Sequence, residues 1–250
     1  MSLILSYNKN SLPGTSHVEQ IQLAQEYNLP LEIANDGKAT AEIYQNSNLQ
    51  ITAVQAYLMH EFHPLHPELF YRQQAYVHLR QTLELAARLA APRVVSVCGF
   101  GQEIADHPFE RAFDLFSSLV PVAESLGIRI MIEPLSTRRA AAMTNPQEVA
   151  ELIAALARPD IFSFVLDTGH LIDSGFSLDT FFRSWGHSIE ELQLKGAASA
   201  PPSADWPIIR WLRSLPSLPA VACVEHRQPL ERQDCKALVE ALQRSLATLE

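Results

Sequence analysis

The sequence lacks several features that would mark a membrane or nucleic-acid partner. None of its apolar runs reaches the ~18 residues that a membrane-crossing helix needs, so we expect no membrane contact. Its opening, MSLILSYNKN, turns polar too soon for a secretory signal peptide. Positive charge is scarce, since 19 Lys and Arg stand against 28 Asp and Glu, a formal charge of −9. An acidic chain repels phosphate backbones, so we expect no nucleic-acid partner.

Cysteine is also scarce. The chain has three, Cys98, Cys223 and Cys235, an odd number without a CxxC pair. Two of them lie in apolar runs typical of strands. We therefore expect reduced, buried thiols in a cytoplasmic protein.

The common nucleotide-binding motifs and a linker are missing as well. No GxGxxG follows the first apolar run, and no GxxxxGK[ST] occurs anywhere, which argues against a doubly wound open sheet. No tract rich in Pro, Gly and Ser is long enough to separate two domains. With 47% apolar residues, the chain is predicted to form a single domain over residues 1–250.

Short apolar runs alternate with longer segments of helical periodicity, and the runs are near-continuous, as in parallel strands covered on both faces. We predict strands over 3–7, 30–35, 51–58, 93–100, 128–135, 162–167, 189–195 and 220–226. We predict helices over 17–28, around 40–45, and over about 67–90, 108–126, 146–157, 178–185, 206–215 and from about 231. Eight strand–helix units in 250 residues predict an α/β protein of the (β/α)8 TIM-barrel class, with an open sheet as the alternative.

Three of the predicted strands end in a carboxylate: Glu133, Asp167 and Glu225. Chemistry in a (β/α)8 barrel lies at the C-terminal ends of the strands. Carboxylates gathered there repel one another unless they share a proton or a cation. Oxygen ligands favour Mg²⁺ or Mn²⁺, and the imidazole of His170 nearby would admit Co²⁺ or Zn²⁺. A single such residue is usually a helix N-cap or a loop residue, so this prediction depends on all three.

Four segments in order carry a resemblance to a known family. They are LAARLAAPRVVSVCGFG (85–101), IMIEP ending at Pro134, VLDTGH (165–170) and CVEH (223–226). Together they resemble the xylose-isomerase-like TIM-barrel superfamily of sugar isomerases and epimerases, which includes endonuclease IV. The resemblance extends over nearly the whole chain.

The resemblance implies a metal with four ligands: Glu133, Asp167, a residue of the seventh strand, and Glu225. The superfamily's seventh strand usually has the pattern hvHlkD, and here the sequence is ELQLKG. Gln193 therefore stands where the family has histidine. Its carbonyl oxygen can ligate a hard cation but is weaker than imidazole toward Zn²⁺ or Co²⁺, so we expect Mn²⁺ or Mg²⁺.

The resemblance also implies a reaction next to the carbonyl of a small sugar or keto-polyol, either isomerisation or epimerisation through an enediolate. Glu133 and Glu225 would transfer the protons. His170 would bind a substrate hydroxyl. Lys195, which has the strand parity of the ligand position, would neutralise an oxyanion. Trp206 would line the sugar pocket, although such an aromatic is more often part of the core or rim.

Two alternatives remain. One is a lyase or hydrolase of the same superfamily, a dehydratase or an endonuclease IV-like enzyme. His60, His63 and His66 keep it open, in a segment that its prolines should hold as a loop. The other is a non-catalytic barrel with a degenerate metal site, which Gln193 keeps open. The identity of the sugar is undetermined, and association into a homo-oligomer is left open.

Overall fold

Eight parallel strands follow one another in chain order around a closed barrel. The computed structural model describes residues 3–37 and 41–249. The arrangement confirms the predicted (β/α)8 TIM-barrel class. The strands are β1 (Ile4–Asn8), β2 (Leu31–Ala34), β3 (Ile51–Gln55), β4 (Arg93–Val97), β5 (Arg129–Glu133), β6 (Phe162–Asp167), β7 (Glu191–Leu194) and β8 (Val221–Val224).

At least one helix follows every strand. The helices are α1 (His17–Glu26), α2 (Ala41–Gln45), α3 (Leu69–Arg88), α4 (Pro108–Leu126), α5 (Pro146–Leu156), α6 (Thr168–Asp173), α7 (Leu178–Ser184), α8 (Ile208–Ser214) and α9 (Arg232–Leu246). The sequence did not predict α6, whose clearest helix signal is its N-cap, Asp167. No helix among residues 3–37 and 41–249 combines the length and the apolarity needed to cross a membrane.

Several strands end earlier than predicted. β3 stops at Gln55, and Tyr57–His60 form a 3₁₀ turn where the sequence predicted strand to residue 58. The apolar pattern continues past the strand because Ala56 and Met59 are buried in the loop. Thr40, near which the predicted second helix begins, lies outside the described residues.

The described residues form two compact units. The first comprises residues 3–33, 41–52 and 167–249, and the second comprises 34–37 and 53–166. That residues 1–250 act as one domain stays a prediction. The three cysteines are free and buried, as the sequence predicted.

The first unit contains the strand order β7–β8–β1–β2. In the registers, Gln193 faces Cys223 across β7 and β8, and Asn8 faces Glu32 across β1 and β2. Side chains alternate between the faces of a strand, so Gln193 and the residues two positions away from it share one face. This places a row of polar side chains among strands that are otherwise apolar.

The second unit contains β3–β4–β5–β6. One side chain from each strand meets in a fully buried layer, formed by Ala53, Val95, Met131 and Val165. Helices α3, α4 and α5 pack side by side, with α3 against β4 and α5 against β5. The ring of Phe116 on α4 contacts the edge of Phe162 on β6, with 6.2 Å between ring centroids. The core of this unit is therefore apolar throughout these layers.

Candidate functional site

Asp167 ends the fully buried strand β6 and begins helix α6. Its Oδ1 accepts hydrogen bonds from the backbone N–H groups of Gly169 (2.7 Å) and His170 (3.1 Å), which makes it the helix N-cap. Its Oδ2 forms an ion pair with Nζ of Lys195. Only 1% of the residue is exposed, so both oxygens are satisfied inside the protein.

Lys195 follows β7 directly and carries the positive charge of the site. Its ammonium pairs with Asp167 and lies 3.4 Å from Oε2 of Glu225. Just 6% of its side chain is exposed. We name these three residues the ionic triad. A buried ammonium requires such partners, because an unpaired charge inside a protein is strongly unfavourable.

Two residues of the DTGH segment hold Lys195 in place. The Thr168 hydroxyl donates to the backbone carbonyl of Lys195 (2.7 Å) and accepts from its N–H (2.8 Å). A Cβ added at Gly169 would lie 2.8 Å from Cγ of Lys195 and 2.8 Å from the Gly196 carbonyl oxygen. Glycine is therefore needed where α6 approaches the lysine stem.

Glu225 follows β8, and its side chain is 15% exposed, more than either other member of the triad. Its N–H donates to the carbonyl of Leu194 (3.1 Å), which extends the β7–β8 pairing by one bond. Its Oε2 lies 3.4 Å from the ammonium of Lys195, and the carboxylate is the part of the triad most open to solvent.

His226 anchors the loop that follows Glu225. Its Nδ1 lies 2.7 Å from the Gln228 carbonyl oxygen and so carries the proton, and the Tyr7 hydroxyl donates to Nε2 (2.9 Å). Ser11 Oγ bonds both the N–H and the carbonyl of His226. Burial lowers the pKa of His226, which keeps the ring neutral. The loop beside Glu225 is thereby fixed to β1.

Gln193 is fully buried and points into a second cluster. Its Nε2 lies 3.3 Å from Oε2 of Glu32 and 3.4 Å from Oε1 of Glu191. Its Oε1 has no hydrogen-bond partner among the described residues. That Gln193 ligates a metal stays a prediction.

The second cluster consists of Glu32, Glu191 and Cys223, and one ligand-type atom of each lies within 4.8 Å of the others. Such a group can share an ion or a proton. Burial raises the pKa of Glu32 well above its usual 4.5, and the negative charge of Glu191 raises it further. Nδ2 of Asn8 opposes this with a hydrogen bond to Glu32 (2.9 Å). One proton shared between the two carboxyl groups satisfies this environment.

The sequence reasoning missed this cluster. Glu32 is the second residue of β2, and Glu191 is the first residue of β7. The available signal was parity, because Glu191 and Gln193 are two residues apart on β7, and Lys195, directly after the strand, continues the same alternation. Carboxylates inside apolar strands are rare enough to justify a functional or structural explanation.

Glu133 is the last residue of β5 in the second unit, where it is buried and pairs in register with Val97. Trp206 is half-buried in the loop before α8, and its ring lies 5.5 Å from that of Trp211. The parts that the sequence assigned to Glu133, His170 and Trp206 stay predictions.

The histidine segment forms a turn, as its prolines predicted. Burial lowers the pKa of His63 to about 4, and its ring lies 5.4 Å from that of His66. Nδ1 of His66 accepts from the Glu68 N–H (3.0 Å). Within residues 3–37 and 41–249, no group of three ligand atoms close enough for one ion includes these histidines.

A cavity of about 600 Å³ lies within the first unit, between the loops that follow β1 and β8. His226 and Arg227 line it on one side, and Asn10 and Thr15 on the other. A volume of this size suits a small-molecule ligand.

The family model of the xylose isomerase-like TIM barrel matches residues 17–215. The chain belongs to this family. No curated protein matches it in sequence. Three solved structures share the fold. D-psicose 3-epimerase of Clostridium cellulolyticum H10 has a TM-score of 0.77 at 14% identity, covering 99% of this chain and 100% of that one. 3-keto-D-glucoside 4-epimerase of E. coli has a TM-score of 0.76 at 12% identity, covering 99% of this chain and 100% of that one. The IolI protein, with a bound zinc atom, has a TM-score of 0.74 at 16% identity, covering 98% of this chain and 98% of that one.

A divalent metal implied by this family does not fit the first unit as it is arranged. Asp167 uses one oxygen as a helix cap and the other for Lys195. Glu225 faces the same ammonium, and the Gln193 amide is directed at Glu32 and Glu191. A metal bound to Asp167 and Glu225 would have to displace Lys195.

Replacing Gly169 by alanine should destabilise the protein by about 1–3 kcal/mol, because the new methyl group overlaps the Lys195 stem and the Gly196 carbonyl. The matched control is Gly186→Ala, where nothing lies within 4 Å of the added Cβ. Urea unfolding measures both. Equal stabilities of the two variants would refute the close approach.

The Glu32–Glu191 pair should make stability depend on pH. A raised pKa in the folded state means that this contribution is complete below the usual 4.5 and is lost as the pH rises through the folded value. We expect the free energy of unfolding to fall with rising pH in the wild type and to fall less in Glu32→Gln. Urea unfolding from pH 5 to 9 tests this, with the exposed Glu110→Gln as control. An unchanged pH slope in Glu32→Gln would contradict it.

Proposed function

We propose that this protein is a sugar isomerase or epimerase that moves a proton at the carbon next to a carbonyl. The observation that carries the proposal is the ionic triad, which joins an accessible carboxylate and an ammonium at the ends of neighbouring strands. Membership of the xylose isomerase-like family supports it. Two of the structural neighbours are epimerases of sugars or keto-sugars by name.

Glu225 is the proposed base. It is the most accessible member of the triad, and its carboxylate can remove the proton from the carbon alpha to the substrate carbonyl. The electron pair left behind forms an enediolate, with negative charge on the former carbonyl oxygen. Return of a proton to the opposite face yields the epimer, and return to the neighbouring carbon yields the isomer. Neither outcome requires an oxidant.

Lys195 is the proposed electrostatic partner of that intermediate. A fixed ammonium in a site largely closed to water stabilises a developing oxyanion without having to reorganise. Asp167 holds the ammonium in position, and Thr168 holds the backbone that carries it. His170 is proposed to bind a substrate hydroxyl from the first turn of α6.

The remaining assignments rest on the family pattern. Glu133 is proposed as the second proton-transfer group, and Trp206 as a wall of the sugar pocket. Mn²⁺ or Mg²⁺ on Glu133, Asp167, Gln193 and Glu225 stays a prediction, and Asp167, Gln193 and Glu225 have other partners in the first unit. A cytoplasmic location, the lack of a nucleic-acid partner and a homo-oligomeric state stay predictions.

The cavity beside the β8 loop supports a small polar substrate. Its lining offers the side chains of Asn10, Thr15 and Arg227, which can bind hydroxyl groups. His226, which lines the same cavity, directly follows Glu225.

The proposal predicts deuterium wash-in. The protein, incubated in D₂O with a panel of ketoses and keto-glycosides, should exchange hydrogen at the carbon next to the carbonyl, as NMR would show. Glu225→Gln and Glu133→Gln should each slow exchange by a factor of ~10²–10⁴, the usual contribution of a general base. Thermal stability should change little.

Glu110→Gln, an exposed carboxylate on α4, is the control and should exchange at the wild-type rate. If no sugar in the panel exchanges, the non-catalytic alternative is favoured. Full activity in Glu225→Gln would remove Glu225 from the mechanism.

A further inference from the structure

We infer that the ammonium of Lys195 takes the place of a metal ion between Asp167 and Glu225, so that the chain supplies its own cation there. The triad does not hold a divalent metal while this lysine is present. The exclusion of metal follows from geometry alone, and the catalytic consequence, exchange without metal, rests on the proposed function.

The ammonium of Lys195 forms an ion pair with Asp167 and so occupies the position in which a divalent metal would bind this carboxylate. The same ammonium lies 3.4 Å from Glu225. A metal and an ammonium in one such position would repel each other, so either one or the other is bound.

Lys195 is held in this position by its surroundings. Its backbone N–H and C=O both bond the hydroxyl of Thr168. Its stem passes the first turn of α6 at a distance that only a glycine at position 169 allows. A surface lysine that had folded inward by chance would lack this support. Withdrawal of the ammonium would leave the nearly inaccessible Asp167 carboxylate without a counter-charge.

Gln193 stands at the remaining predicted ligand position of the first unit. Gln193 contributes a neutral amide, and its Nε2 is directed at Glu32 and Glu191. Gln193 therefore offers a metal ion no imidazole ligand that would compensate for repulsion by the Lys195 ammonium. With Lys195 charged, the ionic triad has a net charge of −1. Glu225 is the member of the triad with the longer ion-pair distance and the greater exposure.

The experiment compares metal binding in the wild type and in Lys195→Met. We expect the purified wild type to carry well under one equivalent of metal, by elemental analysis, and its melting temperature to be unchanged by Mn²⁺ or Zn²⁺. Lys195→Met should melt lower than the wild type and recover when either ion is added, because the ion replaces the lost ammonium. Its Mn²⁺ affinity by titration calorimetry should exceed that of the wild type at least tenfold.

Two controls bracket this result. Lys195→Arg keeps the positive charge and should not gain metal affinity. Lys236→Met removes an exposed lysine from α9 and should behave as the wild type does. One equivalent of metal in the wild type, abolished by Asp167→Asn, would overturn the inference even if Lys195→Met failed to fold. Equal Mn²⁺ affinities of wild type and a folded Lys195→Met would overturn it too.

The deuterium exchange assay separates this inference from the proposed function. Exchange that persists in the wild type after chelation supports both. Absence of exchange with every sugar, together with metal binding gained only in Lys195→Met, supports the inference and refutes the function. Exchange that stops on chelation and returns with Mn²⁺ supports the function and refutes the inference.

Discussion

The ion pairs of Lys195 with Asp167 and Glu225 join the ends of three consecutive strands of the barrel. Buried carboxylates need a counter-charge, and the other features of the site serve to deliver one. Thr168 fixes the backbone of the lysine, Gly169 makes room for its stem, and the first turn of α6 occupies the other oxygen of Asp167. The DTGH segment thus positions both the Asp167 carboxylate and the Lys195 ammonium.

The first unit solves the same electrostatic problem in two different ways. In the Glu32–Glu191 pair, burial and the neighbouring negative charge raise the pKa of Glu32, which favours one proton shared by the two carboxyl groups. The ionic triad uses an ammonium instead. Gln193 lies on the same face of β7 as Glu191 and Lys195, between the two in sequence. The shared proton belongs to a cluster that is fully buried, whereas the ammonium lies beside Glu225, the most exposed member of the ionic triad.

The fold could be predicted because buried parallel strands appear as near-continuous apolar runs and the helices as longer segments of helical periodicity. Helix α4 and strand β6 match their predicted bounds. The ends of strands were predicted less accurately where buried residues continue into the following loop, as they do after β3. Helix α6 was missed because its only strong signal is the cap Asp167, which also fits a metal ligand.

The site was predictable in part for a related reason. Parity placed Lys195 on the face of β7 that carries Gln193, and the structure adds which carboxylates the ammonium meets. No pattern in the sequence tells whether a glutamine amide turns toward Glu32 or elsewhere, since that depends on side-chain rotamers and on which carboxyl group holds a proton. Glu191 was overlooked because a single charge within an apolar strand is usually attributed to a strand end.

The chain order of the two units has a consequence for synthesis. Residues 53–166 of the second unit are contiguous, so their core can pack before the rest of the chain has been synthesised. The first unit closes later, because β1 pairs with β8 as well as with β2. A nascent chain therefore carries β1 without its β8 partner for most of its translation, and the ionic triad can form only after Glu225 has been added.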